Sequence, residues 1–313
     1  MLRFLLQRLL ATIPVLLVVA IVVFLILRLT PGDPAAVIAG NSATTAEIDM
    51  LREKLGLTQS VFAQFGIWMG NVLQGDFGYS YYLNKPVKEL VMQRMEPTLS
   101  LAAGTMLLAI LVAVPLGTLA AWRMGGWLDR FLSIFSVAGF SIPVFVVGYA
   151  LIWLFAIHLD WFPVQGYRRI ANGIAPWFMQ LVLPWCTLAT IYVALIARVT
   201  RASVSEALTE DYIRTARAKG IKESAVLMRH ALANAAVPIV TVIGIGVALL
   251  IGGVVVTETV YAIPGLGSLT VDAVLNRDFP VIQGVVLLFS VAYVFINLLV
   301  DVAYLVLDPR IRY

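Results

Sequence analysis

The feature that most constrains the fold is a series of six long apolar stretches, none of which contains a charged residue. A helix needs about 20 apolar residues to cross the hydrocarbon core of a bilayer, and it satisfies its backbone hydrogen bonds internally. The stretches that meet this requirement are Leu9–Leu27, Pro97–Trp122, Phe131–Ile157, Ile170–Ala197, Ala231–Thr257 and Phe279–Val300. The first third of the fourth stretch has the composition of a loop. The sequence therefore predicts an all-α integral membrane protein with six transmembrane helices.

Composition agrees with a chain that is surrounded by membrane lipid. Hydrophobic residues make up 61% of the 313 residues and charged residues 13%, whereas soluble domains have about 45–50% and about 25%. This balance excludes a soluble enzyme, a disordered tail and a disulfide-rich secreted domain. The first stretch is longer than the apolar region of a signal peptide, which has about 7–15 residues, and it continues into Arg28. We therefore predict an uncleaved first helix.

Lysine and arginine are distributed unequally between the two sides of the predicted membrane. One side holds both termini and segments 123–130 and 198–230, and it carries thirteen of these residues, whereas the short segments of the other side carry three. Cytoplasmic segments are enriched in lysine and arginine, so both termini are predicted to be cytoplasmic. The net charge of +4 therefore indicates topology, and nucleic acid is not an expected partner.

These assignments divide the chain into four parts. Residues 1–29 form an N-terminal transmembrane helix and residues 30–96 an external segment. Residues 97–308 form a core of five helices with cytoplasmic helices at about 209–236, and residues 309–313 form a cytoplasmic tail.

The external segment is too long to be a simple connection. Thr44 and Glu47 form the capping-box pattern of a short helix that ends near Gly56. An aromatic and aliphatic face at helical spacing follows, and it consists of Phe62, Phe65, Trp68, Val72 and Leu73. Such a face suits the membrane interface. The segment is either a cap that packs on the transmembrane helices or a docking surface for an external partner.

The cytoplasmic segment between the fourth and fifth stretches predicts two short helices that meet at a glycine turn. Thr209 is a candidate N-cap for a helix of about ten residues, with acidic residues in its first turn and basic residues in its last. Gly220 supplies a left-handed stop, and a second amphipathic stretch follows at Lys222–Ala236. The alternatives for this segment are a protein-docking knob, a solvated connector and a basic helix on anionic lipid.

The same segment carries a family resemblance. Tyr212-Ile213-Arg214-Thr215-Ala216-Arg217-Ala218-Lys219-Gly220, then His230-Ala231-Leu232, Asn234-Ala235 and Pro238, resembles the cytoplasmic signature of bacterial ATP-binding-cassette (ABC) importer permeases. The resemblance is to the dipeptide, oligopeptide, glutathione and nickel subfamily. Further matches are Pro31-Gly32-Asp33-Pro34, Leu55-Gly56-Leu57, Gly75-Asp76-Phe77-Gly78, Glu258-Thr259, Pro264-Gly265-Leu266-Gly267, Arg277-Asp278-Phe279-Pro280 and Asp308-Pro309-Arg310.

Two segments depart from the general importer signature. Arg214-Thr215-Ala216 stands where that signature has Glu-Ala-Ala, and Leu232-Ala233-Asn234 replaces its hydrophobic-Leu-Pro element. Both replacements are those of the peptide branch, so they narrow the resemblance from ABC importer permeases in general to that branch.

The resemblance implies a type I ABC importer permease fold in the bacterial cytoplasmic (inner) membrane, and the long external segment implies the first of the two permease subunits. It further implies a homologous second permease, two ATPase subunits and an external substrate-binding protein as partners. The implied coupling helix, which seats in a cleft of the ATPase, comprises Asp211, Tyr212, Arg214, Thr215, Ala216, Arg217, Ala218, Lys219 and Gly220. We expect polar contacts from Arg214, Arg217 and Lys219, and close approach at Ala216 and Ala218.

The chain lacks the means to hydrolyse ATP itself. A phosphate-binding loop has the form G-x-x-x-x-G-K-[ST], and no Gly-Lys pair occurs in this sequence. His158 and His230 lie at opposite predicted membrane faces, so they cannot share a metal ion, and no Cys or His cluster has ligand spacing. We therefore predict that the chain is not an enzyme, that it holds no cofactor or metal, and that ATP and Mg²⁺ are bound by the partner ATPase subunits.

Ion-driven transport would need carboxylates within the spans, and the six stretches contain none. Asp301 follows the last stretch and is interpreted as a packing or snorkelling residue that can reach water, Arg310 or Arg312. Gly244, Ala248 and Gly252 form a small-residue face on the fifth stretch. That face forms either a packing contact within the chain or the interface with the second permease.

The resulting hypothesis is a permease subunit that translocates di- or oligopeptides, or glutathione, chemically unchanged. The alternatives are an importer of nickel or another small solute in the same family, and, from other classes, an autonomous channel or secondary transporter and a sensor or scaffold. Kinks are expected at the prolines that lie in or at the ends of the stretches, which are Pro14, Pro115, Pro143, Pro184 and Pro238.

Overall fold

A computed structural model describes residues 2–29, 35–36, 44–54, 57–80 and 82–307 of this chain. The helices are, in chain order, α1 (Leu2–Leu29), α2 (Thr45–Lys54), α3 (Val61–Leu73), α4 (Val87–Trp122), α5 (Trp127–Ser141), α6 (Val144–Leu151), α7 (Ile174–Thr209), α8 (Asp211–Ala218), α9 (Glu223–Ala225), α10 (Leu232–Asn234), α11 (Ala236–Val260), α12 (Leu266–Leu275) and α13 (Phe279–Leu307). Wider π-helical turns follow α6 at Ile152–His158 and α9 at Val226–Ala231. A short antiparallel hairpin, β1 (Tyr79–Ser80) and β2 (Lys85–Pro86), precedes α4.

Four helices, α1, α4, α7 and α13, are each long and apolar enough to cross a membrane. Two helix pairs meet the same requirement jointly. The first is α5 with the segment 144–158, bent by 104°, and the second is the segment 223–234 with the start of α11, bent by 59°. With each bent pair taken as one span, the described chain has the six predicted spans.

The third span bends sharply at Pro143, where the sequence predicted a kink, and the helix is interrupted there. Ile142 has φ −89° and ψ 122°, and Pro143 then begins α6. The proline ring disfavours helical geometry at the residue before it, which is the physical reason for the break. Pro14 and Pro184, by contrast, lie inside α1 and α7, which run on past them.

The other span boundaries shift mainly towards longer helices. The second span begins at Val87 and not at Pro97, and the fourth begins at Ile174, after a short 3-10 turn, and continues past Ala197 to Thr209. The fifth is displaced to Ala236–Val260, and the sixth continues to Leu307. A helix does not end where it meets water, since charged side chains are good helix formers, so the apolar stretch underestimates its length.

The chain forms two compact units with separate cores. One contains Pro97–Pro264 and the chain from Phe295 onwards, and the other contains Leu2–Glu96 and Gly265–Val294. The core of the first unit includes fully buried residues of α4, α7 and α11, among them Leu101, Leu181, Ile196 and Leu250. The core of the second includes Val87, Leu269, Val281 and Val285.

The predicted capping box of α2 is confirmed. The Thr44 backbone N–H donates to Glu47 Oε2 at 2.7 Å, and the Glu47 N–H donates to Thr44 Oγ1 at 3.4 Å. The hydrogen bonds from Thr44 hold the pKa of the Glu47 carboxyl below its usual value. The predicted stop at Gly56 lies outside the described residues, as do Pro31-Gly32-Asp33-Pro34 and the tail after Leu307.

Two of the sequence motifs meet within the second unit. Gly75 and Gly78 of the Gly75-Asp76-Phe77-Gly78 motif have φ values of 80° and 89° and form a turn before the hairpin. The fully buried Ser80 hydroxyl of that hairpin donates a hydrogen bond to Asp278 Oδ2. Asp278 is itself buried directly before α13, and this burial raises the pKa of its carboxyl.

Candidate functional site

The cytoplasmic helix α8 begins at a sharp corner directly after α7. Glu210 is extended, with φ −71° and ψ 149°, and it stands at the N-cap without a side-chain cap hydrogen bond. The predicted N-cap, Thr209, is wrong: this residue ends α7, and its hydroxyl donates to the Glu206 carbonyl of that helix at 2.7 Å. Asp211 in the first turn still places a negative charge near the positive end of the helix dipole.

The predicted stop at Gly220 is confirmed. Gly220 has φ 72°, a conformation that disfavours most side chains. Its N–H donates to the Arg217 carbonyl at 2.9 Å, and the Ile221 N–H donates to the Ala216 carbonyl at 3.3 Å. This pair of bonds is the Schellman arrangement, which satisfies the last carbonyls of a helix. The direction of the chain after α8 is therefore fixed by backbone hydrogen bonds.

One face of α8 is buried within its own chain. Ile213 and Ala216 lie three positions apart, which places them on the same side of the helix, and they are 0% and 6% exposed. They pack into a cluster whose other buried members are Ala121, Val204, Ala207, Val226, Leu227, Ala231, Ala235 and Ile239. The expectation that Ala216 allows close approach of a partner is therefore wrong, because this side chain faces the interior.

The opposite face of α8 is open to solvent. Its exposed residues are Asp211, Tyr212, Arg214, Thr215, Arg217, Ala218, Lys219 and Gly220. Arg214 extends from this face with a 76% exposed side chain and forms a loose ion pair with Asp211 at 3.3 Å. The predicted candidates other than Ala216 thus share one accessible surface, which we call the α8 surface.

Arg217 makes a contact that the sequence did not predict. Its Nε lies 2.7 Å from Glu223 Oε1 and its Nη2 lies 3.3 Å from Glu223 Oε2. This two-pronged pair crosses the turn at Gly220 and joins α8 to α9. Arg217 therefore has a partner inside the chain, which leaves Arg214 and Lys219 as the more available cations of the α8 surface.

Tyr212 connects α8 to the segment that leads into the fifth span. Partial burial and the nearby Glu210 charge raise the pKa of the Tyr212 hydroxyl, and a hydrogen bond with Asn234 opposes that shift. Asn234 in turn donates to the His230 carbonyl at 2.6 Å. The hydroxyl is therefore neutral at physiological pH.

A third ion pair joins α5 and α7 near the cytoplasmic end of the first unit. Arg201 of α7 forms a two-pronged pair with Asp129 at the start of α5, and the Nη2–Oδ2 distance is 3.0 Å. Asp129 also accepts the Gly125 N–H at 2.9 Å and is buried. In the sequence Arg201 counted only towards topology, and no local pattern links two residues that are 72 positions apart.

At Gly244, the small-residue face of the fifth span packs against another helix of the same chain. A Cβ atom at Gly244 would lie 2.2 Å from Val300 Cγ2 of α13, so only glycine permits this helix contact. Ala248 is partly exposed, and the side-chain surroundings of Gly252 lie outside what the structure describes. The interface with a second permease at these positions stays a prediction.

Two buried carboxyl groups, those of Glu258 and Asp301, lie in helices α11 and α13 directly after the uncharged stretches of the sequence. Since α11 continues to Val260, it includes Glu258, which is 0% exposed and accepts a hydrogen bond from Thr98 Oγ1 at 2.6 Å. Asp301 is buried within α13, and its predicted partners Arg310 and Arg312 lie outside the described residues. Among the described residues, no group of three His, Cys, Asp or Glu side chains could hold a metal ion.

Known proteins identify the class to which this architecture belongs. A permease chain of the MetNI methionine ABC transporter, in an inward-facing conformation, superposes with a TM-score of 0.58 at 18% identity, over 70% of this chain and 96% of that chain. The described helices therefore have the fold of a type I ABC importer permease, which confirms the predicted fold class.

The family follows from the sequence. Residues 113–313 match the family described as "Binding-protein-dependent transport system inner membrane component", and residues 1–102 match its N-terminal counterpart, "Binding-prot-dependent transport system membrane comp, N-term". The chain belongs to this family of inner-membrane transport components.

Relatives match this chain from end to end. One is the "Probable peptide ABC transporter permease protein y4tP" of Sinorhizobium fredii, 56% identical over 99% of both chains. Another is the "Glutathione transport system permease protein GsiC" of Escherichia coli K12, 42% identical over 100% of both chains. The chain is therefore a multi-pass protein of the bacterial inner membrane, and ATPase subunits and a further permease are the partners that its family implies.

Proposed function

We propose that this chain is the first of two permease subunits in an ATP-driven importer that carries small peptides, including tripeptides such as glutathione, into the cytoplasm. The observation that carries the substrate class is the end-to-end match with relatives named for peptides and for glutathione. An external binding protein delivers the peptide, and it crosses the membrane chemically unchanged.

The α8 surface supports the coupling role. It belongs to a helix whose C-terminal end is fixed by backbone hydrogen bonds and whose inner face is anchored by Ile213. Such a helix moves as a unit with the spans to which it is packed. We propose that the α8 surface seats in a cleft of the ATPase, with Arg214 and Lys219 as polar contacts and Ala218 at the point of close approach.

The first experiment identifies the partners. The chain, tagged and expressed in its native host, is extracted in mild detergent, and the proteins that co-purify are identified by mass spectrometry. A second permease and ATPase subunits are the expected result. A stable chain without an ATPase, even after chemical cross-linking in the membrane, would contradict the proposal and favour an autonomous transporter.

The second experiment tests the substrate. The purified complex is reconstituted in liposomes with its binding protein, and uptake of radiolabelled di- and tripeptides is measured with and without ATP. ATP-dependent peptide uptake is expected. Uptake of nickel with no peptide uptake would refute the peptide class but retain the importer.

A further inference from the structure

The external helix α3 is unusual because none of its 13 residues is charged. A helix at a protein surface ordinarily carries polar residues on its solvent side, and one that is apolar all round is buried in protein or in lipid. The neighbouring external helix α2 has the ordinary pattern, with five charged residues among ten. The outer face of α3 therefore needs an apolar environment.

One side of α3 is covered by the first transmembrane helix. The rings of Phe65 and Trp68 lie 5.3 and 5.6 Å from the ring of Phe24, which is itself buried in α1. Gln64, on the same side, donates to the carbonyls of Leu57 and Gln59. These contacts hold α3 against α1 at one position along its length.

That position lies at the end of the membrane span. The apolar span of α1 ends at Ile26, two residues after Phe24. The carbonyl of Val23, next to Phe24, accepts a hydrogen bond from Gln283, in the second turn of α13, at 3.5 Å. The adjoining ends of two spans therefore meet where α3 docks. Tryptophan and other aromatic residues concentrate at this depth of a bilayer.

The remaining side of α3 is apolar and open. Phe62 is 89% exposed and Leu73 80% exposed, and their separation of eleven residues places them on one face of a helix. Gly66 and Gly70 lie between them, and a Cβ atom added at either position would meet nothing within 4 Å. We propose that α3 is an interfacial helix that lies in the outer leaflet, with Phe62 and Leu73 in contact with lipid at the boundary of headgroups and acyl chains.

Lipid accounts for this face better than a protein does. A soluble binding protein docks and leaves, and each departure would return the apolar face to water, which is unfavourable. Lipid covers the face at all times. The absence of charge also favours lipid, because a transient protein interface relies on complementary charges for specificity.

The test places a fluorescent probe at the open face. Phe62→Cys and Leu73→Cys are made in a Cys186→Ala background, since Cys186 is the one cysteine of the chain. The matched control is Met50→Cys on α2, which is 68% exposed. Each full-length variant is labelled with an environment-sensitive dye and reconstituted with its complex in phosphatidylethanolamine–phosphatidylglycerol vesicles.

The proposal predicts blue-shifted emission at positions 62 and 73, strong quenching by spin-labelled lipids and little quenching by aqueous iodide. The control at position 50 should show the opposite pattern. Two results would overturn the proposal: iodide quenching at positions 62 and 73 equal to that at position 50, or protection from iodide that arises only after the binding protein is added.

Discussion

Reversal of the charge at Arg217 distinguishes two roles for this side chain, which are positioning of α8 and direct binding of the ATPase. The first role is suggested by the bidentate ion pair that Arg217 forms with Glu223 inside the chain. Arg217→Glu would place two carboxylates across the turn at Gly220. The matched variant is the exchange Arg217→Glu with Glu223→Arg, which restores an ion pair of opposite direction at the same site.

Loss of the Arg217–Glu223 ion pair should have only a small effect on the free energy of folding. The two side chains are 42% and 48% exposed, and exposed pairs of this kind contribute about 0.2–1 kcal/mol. Loss of the pair therefore changes the local equilibrium between joined and separated α8 and α9 by at most about fivefold. Protein levels and membrane insertion should be unchanged, whereas a misplaced α8 surface should reduce ATP-driven transport.

The assay is stimulation of ATP hydrolysis by the binding protein in the reconstituted complex, with Arg214→Glu as the comparison. If Arg217 positions α8, the single reversal lowers stimulation and the exchange recovers most of it. If Arg217 binds the ATPase directly, the exchange remains as defective as the single variant, and the positioning argument is refuted. Arg214→Glu should lower co-purification of the ATPase, and unchanged recovery would remove Arg214 from the docking surface.

Three further predictions follow from the geometry. Gly220→Val places a branched side chain at φ 72°, which costs about 1–2 kcal/mol, so transport should fall at equal protein level. Asparagine tolerates this conformation, so Gly220→Asn should retain transport. An equal loss of transport in both variants would contradict this prediction. Ile213→Ala should destabilise the α8 cluster by about 2–5 kcal/mol, visible as faster proteolysis at 209–236, and unaltered cleavage would count against the anchor. Burial raises the pKa of the Asp278 carboxyl, so this group holds its proton more tightly in the folded state than in the unfolded state. Its contribution to stability is therefore present at low pH and is lost as pH rises through the folded pKa. The thermal stability of Asp278→Asn should not show that loss, and identical pH profiles for the two proteins would refute this prediction.

The sequence predicted the membrane class, the number of spans and the position of the short helix α8, because each rests on local composition. The length of an uncharged apolar stretch predicts a span, and a glycine after a run of helix formers predicts a stop. Gly220 is such a glycine, and its φ of 72° confirms the stop. The capping box at Thr44 and Glu47 is equally local.

The failures arise where distant parts of the chain meet. Ala216 has the size expected for close approach, but only the packed cluster around Ile213 shows that it faces inward. The Arg201–Asp129 pair joins residues far apart in the chain, and the membership of Glu258 in α11 depends on where that helix ends. The residue types favour Thr209 as an N-cap, but they do not reveal that α7 ends in a corner at this residue.

The length of α7 has a mechanical consequence. Its 36 residues correspond to about 54 Å at 1.5 Å per residue, whereas the hydrocarbon core is about 30 Å thick. Ile213 packs in one cluster with Val204 and Ala207 near the end of α7, so α8 is attached at the cytoplasmic end of this long helix. A tilt of about 10° around the middle of this rod moves its tip by about 5 Å, close to the rise of one helical turn. If α7 tilts as a rigid rod, a translation of α8 by about 5 Å would therefore correspond to a tilt of α7 by about 10°.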